Sequence, residues 1–151
     1  METTLNGGAG AGAKTPWHLW VVGGVSLLWN SGGAVSYTTT KLGMLEGSGI
    51  PAEQIEYLAN IPAWASAFWA LGVWGCLLGS GALLLRSRFA TALFGISLVG
   101  LLGLTVYQRL LSDLPASYQT MGHSLFAALI WVITIALFIY ARRQQVNGVL
   151  R

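Results

Sequence analysis

The sequence predicts an all-α integral membrane bundle of four transmembrane helices with both termini cytoplasmic, and three observations carry that reading. The first is composition. Of 151 residues, 54% are hydrophobic and 9% are charged, where an average soluble domain has about 25% charged residues. Eight basic and five acidic residues cannot cover the surface of a water-soluble globule, and whole-chain disorder needs the opposite composition. The second is where the charges fall. Residues 15–40, 57–85, 89–108 and 114–141 carry none, and each run reaches the ~20 helical residues that cross a bilayer core of about 30 Å. The third is continuity. Runs such as 98–104 and 125–140 are apolar almost throughout, unlike the alternating segments of ~10 residues in a membrane β-barrel.

Taken in order, residues 1–15 read as a flexible cytoplasmic tail, because LNGGAGAGA at 5–13 is too small-sided to pack. The first span is placed at about 17–37. It is the least apolar, with Asn30, Ser31, Gly32 and Gly33 in its outer half. Small residues after an apolar run also suit a cleaved signal peptide, but Trp17, Trp20 and Trp29 and a basic region of Lys14 alone argue against one. The outer loop 38–62 contains a short amphipathic helix at about 51–60. Pro51 suits its first turn, Glu53 its positive end, and Pro62 follows its stop. Its apolar face of Ala52, Ile55, Leu58 and Ala59 either closes an outward-facing pocket or rests on headgroups or bundle.

The second and third spans, at about 63–85 and 90–111, are joined only by Arg86, Ser87 and Arg88, so they must be antiparallel neighbours. A turn at 112–118 leads to the fourth span at about 122–141, and 142–151 reads as a basic cytoplasmic tail. Residues 16–141 thus form one membrane domain. Orientation follows from the basic residues of short loops. Lys14, Arg86, Arg88, Arg142, Arg143 and Arg151 share the side of the termini, against Lys41 and Arg109 on the other. Glu46, Glu53, Glu56 and Asp113 lie with the minority and only Glu2 with the majority.

In lipid, helices associate through close backbone approach and interhelical hydrogen bonds. Gly72, Gly75 and Gly79 on the second span and Gly100 and Gly103 on the third are the candidate packing residues, either within the chain or against another protein. The first span carries a polar stripe of Gly23, Ser26, Asn30, Gly33 and Tyr37, which should not face lipid. Asn30 needs a partner for its amide, and Thr105, Gln108 and Thr134 are the candidates. Asn30, Tyr37, Trp29, Gln108 and Arg109 together make the candidate polar face or ligand contact. Arg109 either pairs with Asp113, four residues on, or holds an anionic group. Trp17, Trp20 and Trp64 fall at interfaces and Trp69 at intermediate depth, whereas Trp29, Trp74 and Trp131 lie deeper, to pack or to line a pocket.

The chemistry is sparse. No carboxylate lies inside a span, which counts against proton-coupled transport. His18 and His123 fall at opposite membrane faces, which excludes a bis-histidine haem within one chain. The single cysteine, Cys76, rules out an intrachain disulfide. It has no basic neighbour to activate it, so it reads as a small packing residue. No nucleophile–base pair, P-loop or dinucleotide fingerprint occurs. No catalytic, cofactor-binding or metal-binding residue, no cofactor, no enzyme activity and no nucleic-acid partner are therefore expected.

Pro62-Ala63-Trp64, WALGVWG at 69–75, GSGALLLRSR at 79–88, Leu28-Trp29-Asn30 with Tyr37, and Tyr107-Gln108 together resemble a family of small four-helix inner-membrane proteins of alphaproteobacteria. Some members are labelled sugar transporters without an established mechanism. The resemblance covers about residues 17–145 and implies topology and a bacterial inner-membrane location, with no catalytic or binding residue. Members often carry an acidic residue before the tyrosine, where this chain has Ser36, which weighs against an acid-dependent role. The leading expectation is a non-enzymatic membrane protein that acts by association, as an accessory subunit of a larger complex. The alternatives are a small carrier or binding protein for a neutral solute such as a sugar, or a lipid- or quinone-binding protein. Expected partners are membrane lipids and either a membrane protein or a second copy of the chain.

Overall fold

The computed structural model describes residues 14–151, and all regular structure among them is helical. Five α-helices follow in order: α1 Trp17–Lys41, α2 Ala52–Ala59, α3 Ala63–Leu84, α4 Phe89–Val106 and α5 Met121–Val146. A π-helical turn, Tyr107–Leu111, continues α4, and a short 3-10 turn, Ala116–Tyr118, precedes α5. The tail expected at 1–15 lies almost wholly outside the described residues. Among the described residues, three helical segments are long and apolar enough to cross a membrane: Ala63–Leu84, Phe89–Leu111 and Met121–Val146. α1 is as long as these, at 25 residues, but carries more hydroxyl side chains.

Each of the four prolines stands immediately before a helical segment: Pro16 before α1, Pro51 before α2, Pro62 before α3 and Pro115 before the 3-10 turn. A proline there has no N–H to leave unpaired and its φ is already set. Only α5 begins with a side-chain cap, where the Thr120 hydroxyl accepts from the His123 N–H at 3.3 Å.

Two helix ends differ from the sequence expectation. α1 runs one turn past Tyr37, because Thr38, Thr39 and Thr40 each donate a hydroxyl to the carbonyl four residues back, at 2.8, 2.9 and 2.8 Å. These polar β-branched residues are thereby satisfied within the helix. Likewise, 142–151 is not a free tail. α5 continues to Val146, and Gly148 at φ 70° then reverses the chain. The Gly148 and Val149 N–H groups bond back to the Gln145 and Gln144 carbonyls at 3.0 and 2.9 Å, a Schellman closure. Val149 and Leu150 are then buried in the core beside Leu19, Leu83, Ala90, Phe94, Leu137 and Ala141. Arg151 donates its N–H to the Arg86 carbonyl at 2.8 Å and accepts from the Arg88 N–H at 2.9 Å. Apolar residues at 149–150 explain why the basic run does not keep the segment in water.

α3 and α4 form an antiparallel hairpin whose backbones come into close contact. A Cβ on Gly75 would lie 3.0 Å from the Ser97 Cβ and 3.1 Å from the Leu93 carbonyl. One on Gly79 would lie 3.0 Å from the Phe94 ring. A Cβ on Gly100 would collide with the Gly72 backbone, and one on Gly103 with the Phe68 ring. The hairpin turns at Arg86, the only non-glycine residue with positive φ (56°) among those described, a conformation that costs about 1 kcal/mol for a residue bearing a Cβ. α1 packs on α3, where Gly23 receives Leu84. α5 packs on α4 with side chains between the backbones, as where Phe138 lies 3.5 Å from the position of a Gly95 Cβ.

The contrast between glycines is testable. Gly100→Ala should destabilise by about 1–3 kcal/mol, the range for overpacking a filled site, since backbone on α3 blocks the new methyl. Gly32 has open space around it, so Gly32→Ala should be neutral or stabilising by up to about 1 kcal/mol. Thermal unfolding in a neutral detergent measures both.

Candidate functional site

The polar side chains of the long helices converge at mid-height. On α3, Cys76 and Ser80 are one turn apart on the face that also carries Gly75 and Gly79, and all four are buried. The Ser80 hydroxyl donates to the Cys76 carbonyl at 2.9 Å. From α1, the Asn30 amide donates to Ser80 Oγ at 3.0 Å and to the Cys76 carbonyl at 3.4 Å. From α4, Ser97 donates its hydroxyl to the Gly72 carbonyl at 2.6 Å. Its proton is thereby committed, so at the 2.8 Å contact between Cys76 Sγ and Ser97 Oγ the thiol is the donor. From α5, Thr134 stands 3.9 Å from the same sulfur and gives its own proton to the Ile130 carbonyl at 2.7 Å.

One chain of polar contacts therefore links α1, α3, α4 and α5. The close approach enforced by the glycines brings Ser97 within reach of the α3 backbone. Each proton accounted for above ends on a backbone carbonyl or on another member of the chain. A direct α4–α5 link lies further along, where Trp131 Nε1 donates to Thr105 Oγ1 at 3.3 Å.

The structure does not gather the five residues of the predicted polar face. Asn30 bonds α3 and not Thr105, Gln108 or Thr134, because α1 packs on α3 while those three residues stand on α4, its π-helical extension and α5. Tyr37 sets its ring edge-on to Trp69 at 5.0 Å, and Lys41 sits over the same indole at 5.8 Å while bonding Ser66 at 2.6 Å. Trp29 is 39% exposed and meets Phe126 at 6.1 Å. Gln108 and Arg109 lie in the π-helical turn, where the Gln108 carbonyl accepts from Ser112 and Arg109 is exposed. Among the described residues, Arg109 makes no ion pair with Asp113. The π-turn and the extended Ser112 that ends it break the helical i,i+4 spacing on which that pair depended.

No family model, curated protein or solved structure matches this chain.

Two further clusters occupy the ends. At the end holding the α1 N-terminus, His18 Nδ1 and the Tyr140 hydroxyl hydrogen-bond at 2.5 Å, tying α1 to α5. At the opposite end α2 is fastened by Tyr57, whose hydroxyl pairs with Ser112 Oγ at 3.0 Å and whose ring meets Tyr118 at 5.7 Å. Tyr118 in turn stands edge-on to His123 at 4.5 Å. Burial raises the Tyr57 hydroxyl above its ordinary pKa, against the lowering pull of Ser112 and with Tyr107 adding to the rise. Burial, with Tyr57 close by, raises Tyr118 as well.

Sequence reasoning missed Cys76, Ser80 and Ser97 as partners. The signal was the shared spacing of Gly75, Cys76, Gly79 and Ser80, which puts two polar atoms on the face that glycine marks for close contact. Asn30→Leu should cost about 1 kcal/mol or more, as should Ser80→Ala. The double variant should cost less than the sum by about 0.6 kcal/mol, the usual size of such a link in a membrane helix pair. Thermal unfolding of the four proteins gives the coupling, and strict additivity would show that the two side chains do not interact.

Proposed function

We propose that this chain is a non-enzymatic, multi-pass membrane protein of four spans that works by association, as an accessory subunit of a larger complex in a bacterial inner membrane. Three of the spans are the segments long and apolar enough to cross a bilayer, and α1 is the fourth. Both termini are cytoplasmic, which the distribution of basic residues supports.

The observation that carries the reading is the direction of the polar chemistry. The Asn30 amide, the Ser97 hydroxyl and the Cys76 thiol hold one helix to another, while the hydroxyls of Ser80 and Thr134 give their protons to carbonyls of their own helices. A path for a neutral solute would instead need such groups turned toward the solute. The outward surfaces are large and apolar, with Leu28, Leu78 and Val132 all more than half exposed. On α1 they also include Gly24 and Gly32, with no atom near enough to touch an added methyl. A helix that faces lipid alone gains nothing from glycine there, whereas one that meets another helix gains close approach.

Two measurements test this. In a Cys76→Ser background, Glu46→Cys should react with a membrane-impermeant maleimide in intact cells, while Ser87→Cys should react only after permeabilisation; the reverse pattern contradicts the orientation. On purification in a mild neutral detergent, the 16.1 kDa chain should run with a second, different protein. A chain that runs with copies of itself alone and is stabilised by a neutral sugar would instead favour a carrier.

A further inference from the structure

We infer that the last turns of α5 form a binding site for an anionic phospholipid, with Arg142 and Arg143 holding its phosphate. The inference rests on the membrane reading above and names a ligand for one face of it. A shallow, open groove runs along α5, lined by Phe138, Ile139, Arg142, Arg143, Val146 and Asn147. Its lining is graded along the helix. Phe138 and Ile139 stand one turn nearer the middle of the span than the two arginines, and the exposed side chains of Ile135 and Val132 extend the apolar track further. An acyl chain fits beside the apolar side chains and a phosphate beside the guanidiniums.

The charge distribution selects the anionic class. Lys14, Arg86, Arg88, Arg142, Arg143 and Arg151 all lie at this end, while Glu46, Glu53, Glu56 and Asp113, the acids among the described residues, lie at the other. No acidic side chain among the described residues lies at this end to neutralise the arginines. Two of the neighbouring cations, Arg86 and Arg88, are engaged in ways this pair is not. Arg86 donates to the Thr15 hydroxyl at 3.0 Å, and Arg88 lies over the Phe89 ring at 5.7 Å. Arg142 and Arg143 make no side-chain hydrogen bond or ion pair among the described residues, and both are exposed. Two adjacent planar guanidiniums supply the forked donors that suit phosphate oxygens. A free phosphate would meet the same donors but leave the apolar lining unused, so the occupant is the lipid.

Native mass spectrometry of the purified chain in neutral detergent, doped with phosphatidylglycerol or with phosphatidylcholine of the same acyl chains, tests the site. Phosphatidylglycerol should bind and phosphatidylcholine should bind much more weakly. The variant carrying both Arg142→Gln and Arg143→Gln should lose about thirtyfold in phosphatidylglycerol affinity, each guanidinium contributing about a factor of five near an anionic surface. Its thermal stability in lipid-free detergent should match the parent, and Arg109→Gln, at the opposite end, should bind as the parent does. Equal binding of the two lipids, or undiminished binding by the double variant, overturns the site. Complete displacement by millimolar inorganic phosphate overturns the lipid as its occupant. Carbonate extraction of membranes separates the two failures. A chain that stays in the membrane pellet but binds neither lipid overturns this site alone, and a chain released to the supernatant overturns the membrane reading with it.

Discussion

Contact between two backbones governs this molecule. Where Gly72 of α3 meets Gly100 of α4, there is no room for a methyl group on Gly100. Gly75 and Gly79 extend the contact along α3 to Ser97 and Phe94, and Gly103 makes room for Phe68 at its other end. With no hydrophobic driving force between helices in lipid, the attraction must come from many atoms at van der Waals distance. Only residues without side chains bring two helical backbones that near. The four-residue turn at 85–88 holds the pair antiparallel, and the strained φ of Arg86 is sustained by backbone bonds on both sides of it. The same turn receives the end of the chain through Arg151.

The polar chain depends on that contact. Ser97 reaches the Gly72 carbonyl and the Cys76 sulfur because α4 lies against α3. Once Ser97 is committed to the carbonyl, the thiol must serve as donor, so Cys76 acts as a polar link as well as a small packing residue. Ser80, turned to the other side, offers the oxygen that Asn30 uses. α1 and α5 join the hairpin through a few polar contacts each and through side-chain packing. This is consistent with α5 carrying bulky Phe126, Trp131 and Phe138 where α3 carries glycines. The outward surfaces are apolar, and the two arginines at the end of α5 are exposed and make no side-chain hydrogen bond or ion pair among the described residues.

Much of the helical layout was legible in the sequence, because a charge-free run of twenty or more residues in so apolar a chain admits few structures. The α3–α4 pairing was legible too, from a three-residue turn between two glycine-bearing segments. Helix ends were less so. Thr38, Thr39 and Thr40 read as loop residues, since their ability to satisfy themselves within a helix leaves no mark on hydropathy. Val149 and Leu150 were read with the basic residues around them, and only the reversal at Gly148 shows that they turn into the core. The partner of Asn30 was misjudged for a different reason. Stripe analysis ranks residues by polarity, so Thr105, Gln108 and Thr134 stood out, whereas the contact is set by which helices come closest. The π-turn at Tyr107–Leu111, which removes Arg109 from Asp113, has no period to detect.

The central claim is that the α3–α4 interlock is the most stable unit and that α1 and α5 are held to it. Amide hydrogen exchange of the intact protein in detergent measures this directly, because it reports the free energy at which each segment opens. The account predicts that amides of residues 72–80 and 93–101 exchange only through the global unfolding reaction, while those in the middle of α5 exchange through openings of lower free energy. Exchange of 72–80 and 93–101 ahead of α5 would contradict it.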